Sequence, residues 1–144
     1  MPRTRRTRML GAAPERVWEV VEDPHHFPRW WPGVKRMEGV DDDRWTQVFM
    51  TKKGHPVRVD FRLLDSVPPS RRRWEQELVG SPFERVLRQS VTEVRVEPAA
   101  AGTKVTIEER QKLRGYSRLV GLLLRRAART RLEGALDGLE RACG

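Results

Sequence analysis

The last quarter of the chain, Ser117 to Cys143, contains no proline and is the one segment whose spacing demands a long helix. Ser117 is placed to cap it, and Gly115 separates it from what precedes. Stepping at about 100° per residue, one face collects Val120, Leu124, Ala127, Ala128, Arg131, Ala135, Gly138, Leu139 and Ala142. Arg125, Arg126, Arg129, Glu133, Asp137 and Glu140 fall mostly opposite. The inward stripe is small in its second half: Gly134, Ala135 and Gly138 stand where a helix packed on a sheet normally presents Leu, Ile or Phe. Either another backbone approaches closely there or space is left for something else. The expectation is a helix lying across a sheet and walling a cavity.

The rest of the chain supplies the sheet. Arg3 to Leu10 alternate weakly and read as a first strand ended by Gly11. Pro14 opens a short helix to Glu22, with Val17, Val20 and Val21 at core-facing spacing, and Asp23-Pro24 stops it. His25 to Val34 reads as a second helical turn and bend that crowds Phe27, Trp30 and Trp31 together, either as a plug for the core or as the lining of an opening. From Val34 to Leu113 turn residues at Asp41-Asp42-Asp43, Lys53 to Pro56, Pro68-Pro69-Ser70, Gly80-Ser81-Pro82 and Pro98 to Gly102 divide the chain into six further strands. Val57, Val59, Phe61 and Leu63 share one side of the clearest strand. Val105, Ile107, Glu109, Gln111 and Leu113 share a side of the last. Short successive strands of this kind make an antiparallel meander with one wet face. The predicted fold is α+β: a curved seven-stranded antiparallel sheet wrapped around the long C-terminal helix, with two short helices after the first strand.

At 144 residues the chain is expected to be one domain, 1–144, large enough to bury a core and leave a hollow in it. No run approaches the roughly 18 apolar residues of a membrane span, and the Arg-rich start lacks the apolar stretch of a secretory signal. With one cysteine, Cys143, no internal disulfide is available, and a reducing cytoplasm is the expected setting. The net charge of +9 raises the question of nucleic acid. The arginines are spread along the whole chain and no recognition motif accompanies them, so nucleic acid is disfavoured as a partner.

The run Ala13-Pro14-Glu15-Arg16-Val17-Trp18-Glu19-Val20-Val21-Glu22-Asp23, followed by Phe27-Pro28-Arg29-Trp30-Trp31-Pro32-Gly33-Val34, resembles the opening of the START-like (SRPBCC) helix-grip superfamily in its bacterial polyketide cyclase/dehydrase branch. Gly80-Ser81-Pro82-Phe83 and Glu97 to Thr106 are similar to that family's hairpins. The resemblance spans essentially the whole chain and implies the helix-grip fold and its cavity. It does not imply one reaction: such families include polyketide aromatases and cyclases, lipid and sterol carriers, hormone binders, chaperone activators and ribosome-associated proteins.

Several side chains are out of place for a plain core. Arg131 lies in the helix's small-residue stripe, Glu109 and Gln111 share a side with Val105 and Ile107, and Gln76 shares one with Trp74 and Leu78. A charge in an apolar interior must be paired or hydrogen-bonded. One reading is an Arg131–Glu109 pair that, with Gln76 and Gln111, orients the polar end of an apolar ligand. The other has Arg131 snorkelling to water and a bulge turning Glu109 outward. Arg88, Ser90 and Thr92 share the parity of Val94 and Val96 and point inward on that count, whereas Leu87 and Val91 imply a bend or bulge. Trp31, Phe61 and Trp74 complete the expected ligand-binding set as apolar wall. Facing the cavity, Arg131 would select a carboxylate, phenolate or polarised carbonyl.

Other chemistries find little support. His25 and His26 are adjacent and diverge, His55 sits in a turn, and no metal site is expected. There is no nucleophile elbow and no Gly-rich phosphate loop, so no cofactor is expected. At the start of the long helix Leu119, Val120, Leu122, Leu123 and Leu124 cover nearly all sides, flanked by Arg114, Arg118, Arg125 and Arg126. This band either packs under the Phe27 to Pro32 bend or stays exposed, Leu122 and Leu123 then touching an acidic membrane surface or an acyl-carrier partner. The expected function is to enclose a small hydrophobic or aromatic molecule. The alternatives are a polyketide aromatase or cyclase acting on a bound chain, and a basic macromolecular adaptor with a filled interior.

Overall fold

Side-chain alternation draws the chain into one antiparallel sheet, and the apolar stripes of the helices close its inner face. The computed structural model describes residues 3–115 and 118–144. In order these are β1 (Arg3–Leu10), α1 (Pro14–Val21), a 3₁₀ turn (Pro24–His26), α2 (Phe27–Trp30), β2 (Val34–Glu38), β3 (Arg44–Met50), β4 (Pro56–Val67), β5 (Arg71–Gln76), β6 (Leu87–Ala99), β7 (Gly102–Leu113) and α3 (Arg118–Cys143). The strand order is β1-β7-β6-β5-β4-β3-β2, so the first two strands form the two edges and the short helices between them in sequence span from one edge to the other. Every neighbouring pair is antiparallel. The expected cap, Ser117, lies outside the described residues.

α1 starts where Pro14 supplies a helical φ and lacks the N–H that would go unbonded. Its Val17, Trp18, Val20 and Val21 are buried. Asp23 then accepts from the backbone N–H of His25 at 2.9 Å, which caps the turn leading into α2. Phe27 sits centrally in an aromatic group, 5.3 Å from Trp30, 5.8 Å from Trp45 and 5.4 Å from Trp74 between ring centres. Phe27 and Trp30 of the bend therefore plug the core, and edge and offset contacts of this kind add to the burial of the rings. Gly80 to Phe83 is not a tight hairpin: the link from β5 to β6 includes a further 3₁₀ turn, Pro82–Arg85, in which Ser81 accepts from the Phe83 N–H at 3.2 Å.

α3 packs on β1, β7, α1 and α2. Its buried stripe is Ala128, Leu132, Ala135, Leu136, Gly138 and Leu139. Leu132 and Leu136 thus belong inside, and Ala127 is exposed. Glu133 and Asp137, placed on the wet side by simple stepping, are about half exposed there and reach arginines of β1. Arg8 donates to Asp137 at 2.5 Å and to Glu133 at 2.9 Å, and Arg6 lies 3.3 Å from Glu133. These pairs link the helix to β1, on which it packs. The small residues at 134 and 138 mark close approach to α2: a Cβ on Gly138 would lie 2.6 Å from the Trp30 Cα, and one on Gly134 would lie 2.7 Å from the Pro32 Cγ. The stripe that motivated the cavity expectation is therefore a tight seam, and the space lies elsewhere.

Candidate functional site

The curl of the sheet leaves a hollow of about 330 Å³ under the first half of α3, away from the glycine seam. Its apolar wall comes from Phe49 on β3, Val57, Val59 and Phe61 on β4, Trp74 on β5 and Trp31 after α2. Its polar groups are Gln76 on β5, Ser90 and Thr92 on β6, Glu109 and Gln111 on β7, Arg131 on α3, and Gln47 on β3. Met50, Thr51, Phe83 and Leu124 stand at its margin, with Met50 and Phe83 exposed.

The strand alternation explains the convergence. On β7, Val105 and Ile107 enter the apolar core while Glu109 and Gln111, two and four residues on, reach the hollow. Across the ladder Thr92 pairs with Glu109 and Ser90 with Gln111, so four polar side chains form a patch on two adjacent strands. Glu109 is 4% exposed and Arg131 32%. The Arg131 Nε donates to the Glu109 Oε2 at 3.0 Å, and its Nη2 donates to Oε1. This is a two-pronged pair in the geometry that a guanidinium favours. It occupies both carboxylate oxygens and leaves the Nη1 donors outside the pair. Gln47 is 1% exposed, and its Oε1 has no hydrogen-bond partner.

Of the residues expected in the site, Trp31, Phe61, Trp74, Gln76, Glu109, Gln111 and Arg131 all line the hollow. Arg88 does not: it is exposed and on the outside. The β6–β7 register slips between Leu87 and Gln89, so the parity of Ser90 does not extend to Arg88 and Leu87 takes the inward place. Sequence reasoning does not single out Gln47, although the alternation Trp45, Gln47, Phe49 carries the signal. A buried cation, Arg72, belongs to another region. It lies 5.9 Å from the Trp45 ring centre and donates to Ser66 at 3.3 Å. Burial pushes its guanidinium below the usual arginine range, against the pull of Glu22 and Asp23.

Leu119, Leu122 and Leu123 are exposed, the last two at 59% and 55%. They do not pack under the Phe27 to Pro32 bend. Among the described residues no helix is long and apolar enough to cross a membrane, and no group of His, Cys, Asp and Glu has the arrangement of a metal site.

A sheet curled around a long C-terminal helix, with a hollow between them, defines the helix-grip class. The chain belongs to the family described as polyketide cyclase / dehydrase and lipid transport, which it matches over residues 1–144. Its fold is shared with the di-domain ARO/CYC BexL from the BE-7585A biosynthetic pathway, at TM-score 0.81 and 22% identity, covering 99% of this chain and 46% of that one. It is shared also with the di-domain ARO/CYC StfQ from the steffimycin biosynthetic pathway, at TM-score 0.79 and 14% identity over 98% of this chain and 50% of that one. This chain thus spans about half the length of either. A START superfamily protein from Mycobacterium smegmatis matches at TM-score 0.74 and 12% identity, covering 96% of this chain and 94% of that one. No curated protein matches the sequence.

Proposed function

We propose that the protein holds a small hydrophobic or aromatic molecule in the hollow between the sheet and α3, with one ligand oxygen on the Nη1 side of Arg131. The observation that carries this reading is the Glu109–Arg131 pair in the wall of a mostly apolar space. A charged pair in that setting is costly to desolvate and adds little to stability compared with apolar packing. It is better accounted for as a fixed cluster of donors. A guanidinium neutralised by its own carboxylate leaves the space without net charge, which suits a neutral ligand with a polarised carbonyl or phenol oxygen. The adaptor alternative expects a filled interior, and the hollow supports the ligand-holding reading over it.

The enzymatic alternative, a polyketide aromatase or cyclase acting on a bound chain, has the family description and the two di-domain proteins behind it. The wall weighs against proton transfer. Among the described residues that line the hollow only Glu109 and Arg131 are charged, and no histidine, cysteine, lysine or tyrosine is present. The one carboxylate is already bonded twice. Confinement of a reactive chain in one conformation is the catalytic effect left to such a site.

Mass spectrometry of compounds extracted from the purified protein tests the proposal. The expected finding is one recurrent apolar or aromatic molecule carrying a carbonyl, phenol or acid oxygen. An empty extract, combined with no affinity for the neutral probe 2-acetonaphthone, would overturn it.

The exposed Leu122 and Leu123 beside the margin at Leu124 support a delivery role for this end of α3. With Arg125 and Arg126 next to them, the contact would be an acidic membrane surface or an acidic acyl-carrier protein. Burying two half-exposed leucines is worth enough that Leu122→Ser with Leu123→Ser should weaken sedimentation with phosphatidylglycerol vesicles about tenfold or more. Loss of carrier-protein binding instead assigns the contact to the carrier. Unchanged binding to both rejects the role.

A further inference from the structure

We infer that Gln76, Ser90 and Gln111 form a second polar subsite of the hollow, which takes a hydroxyl of the ligand one row of the sheet along from the oxygen held by Arg131. This rests on the ligand-holding reading and specifies the ligand further. The three side chains stand on neighbouring strands. Ser90 on β6 pairs with Gln111 on β7, and the register that sets Glu75 against Val91 puts Gln76 of β5 on the other side of Ser90. All three line the hollow, Ser90 and Gln111 buried at 7% and 9% exposure and Gln76 half-buried. Among the described residues none makes a hydrogen bond to any of these side chains. Their polar atoms are nevertheless not walled in, as the Gln47 oxygen is, and so stay open to the hollow. Buried polar side chains are nearly always bonded, and three unbonded neighbours on one inner face mark a place where a bound molecule supplies the partner.

The chemistry of this row selects the group. A serine hydroxyl and a primary amide each donate and accept, and none of the three side chains is charged. Their joint complement is a hydroxyl, which also does both; a carboxylate only accepts and meets no cation on this row. The next row of the same face is Trp74, Thr92 and Glu109, where the Glu109–Arg131 pair supplies the donors for the first ligand oxygen. Same-face neighbours along a strand are about 7 Å apart, so the two ligand oxygens share one edge at about that separation. The opposite edge meets Phe49, Val57 and Val59 on β3 and β4. An aromatic ketone with a hydroxyl meta to the carbonyl group has this pattern. Apolar side chains along the row would serve the fold better, because a buried polar group without a partner costs stability.

Calorimetric titration of the full chain with three neutral ketones tests this. They are 2-acetonaphthone, 4-hydroxy-2-acetonaphthone with its hydroxyl meta to the acetyl group, and 6-hydroxy-2-acetonaphthone with its hydroxyl at the far end. The wild type should prefer the 4-hydroxy ketone to the parent about fivefold or more, the worth of one neutral hydrogen bond, and should gain less than about twofold from the 6-hydroxyl. Ser90→Ala should reduce that preference. Gln76→Met with Gln111→Met, which keeps side-chain length without the amides, should bring it to within about twofold. Equal wild-type affinity for the 4-hydroxy and 6-hydroxy ketones overturns the inference alone. A preference that survives undiminished in either variant also overturns it, and Ser90→Ala is a small enough change to keep the fold. Binding of none of the three ketones removes the ligand-holding reading as well.

Discussion

Arg131→Met is expected to lower the unfolding free energy by about 3 kcal/mol, and adding Glu109→Leu is expected to restore most of it. The single change leaves Glu109, 4% exposed, without either of the bonds that satisfy its oxygens. Removing one partner of a buried pair typically costs about 3–5 kcal/mol, and the partial exposure of Arg131 places this case at the low end. Replacing both partners by apolar groups removes the desolvation penalty along with the attraction, which is often neutral or stabilising. Urea unfolding of the three proteins decides it, and a double variant no more stable than the single one would contradict the account. The double variant also separates fold from recognition. It should fold, yet bind 2-acetonaphthone about ten- to a hundredfold more weakly, the worth of one hydrogen bond to a charged donor, while its affinity for 2-ethylnaphthalene changes little.

The second large effect concerns two glycines of one helix, for which opposite signs are expected. Gly121→Ala should stabilise by up to about 1 kcal/mol, since alanine is the better helix former and the new Cβ meets only the Leu113 Cδ1 at 3.7 Å. Gly138→Ala gains the same propensity but places its Cβ 2.6 Å from the Trp30 Cα and 2.7 Å from the Trp30 carbonyl carbon. That neighbour is backbone of α2 and cannot rotate away. α3 has to withdraw from α2, loosening the packing of Trp30 and Phe27, and overpacking of this sort costs about 1–3 kcal/mol or more. The expected net loss at 138 is about 2 kcal/mol, measured by thermal or urea unfolding. Equal stabilisation at both positions would show that the seam between α3 and α2 is not tight.

The architecture was legible because its signals are local and repeated. Proline, glycine and aspartate clusters mark the strand ends, and the alternation on β4 and β7 assigns their faces. The inward polar set on β7 follows from parity alone, which turns Glu109 and Gln111 to the face they share with Thr92 and Ser90. Arg88 was misplaced because parity fails across a bulge, and a register slip is a property of two strands rather than of one. The glycines of α3 could mean either space or contact. Only the position of Trp30 and Pro32 chooses contact, and that is tertiary information. Glu133 and Asp137 do lie on the half-exposed side that stepping assigns them, but stepping around a helix cannot show that arginines on an edge strand pair with them. The alternation Trp45, Gln47, Phe49 turns Gln47 to the inner side of β3, but that β3 borders the hollow is again tertiary information.

The central claim is that a ligand occupies the hollow between the sheet and α3, and filling that space tests it most directly. Ser90 is buried on β6 and lines the hollow, so the ring in Ser90→Phe has empty volume to enter. Calorimetric titration of both proteins with 2-acetonaphthone is the measurement. The account predicts one saturable site in the wild type and at least a tenfold loss of affinity in a Ser90→Phe variant that keeps its cooperative unfolding. Equal affinity in the two folded proteins, or no binding by the wild type, would contradict it.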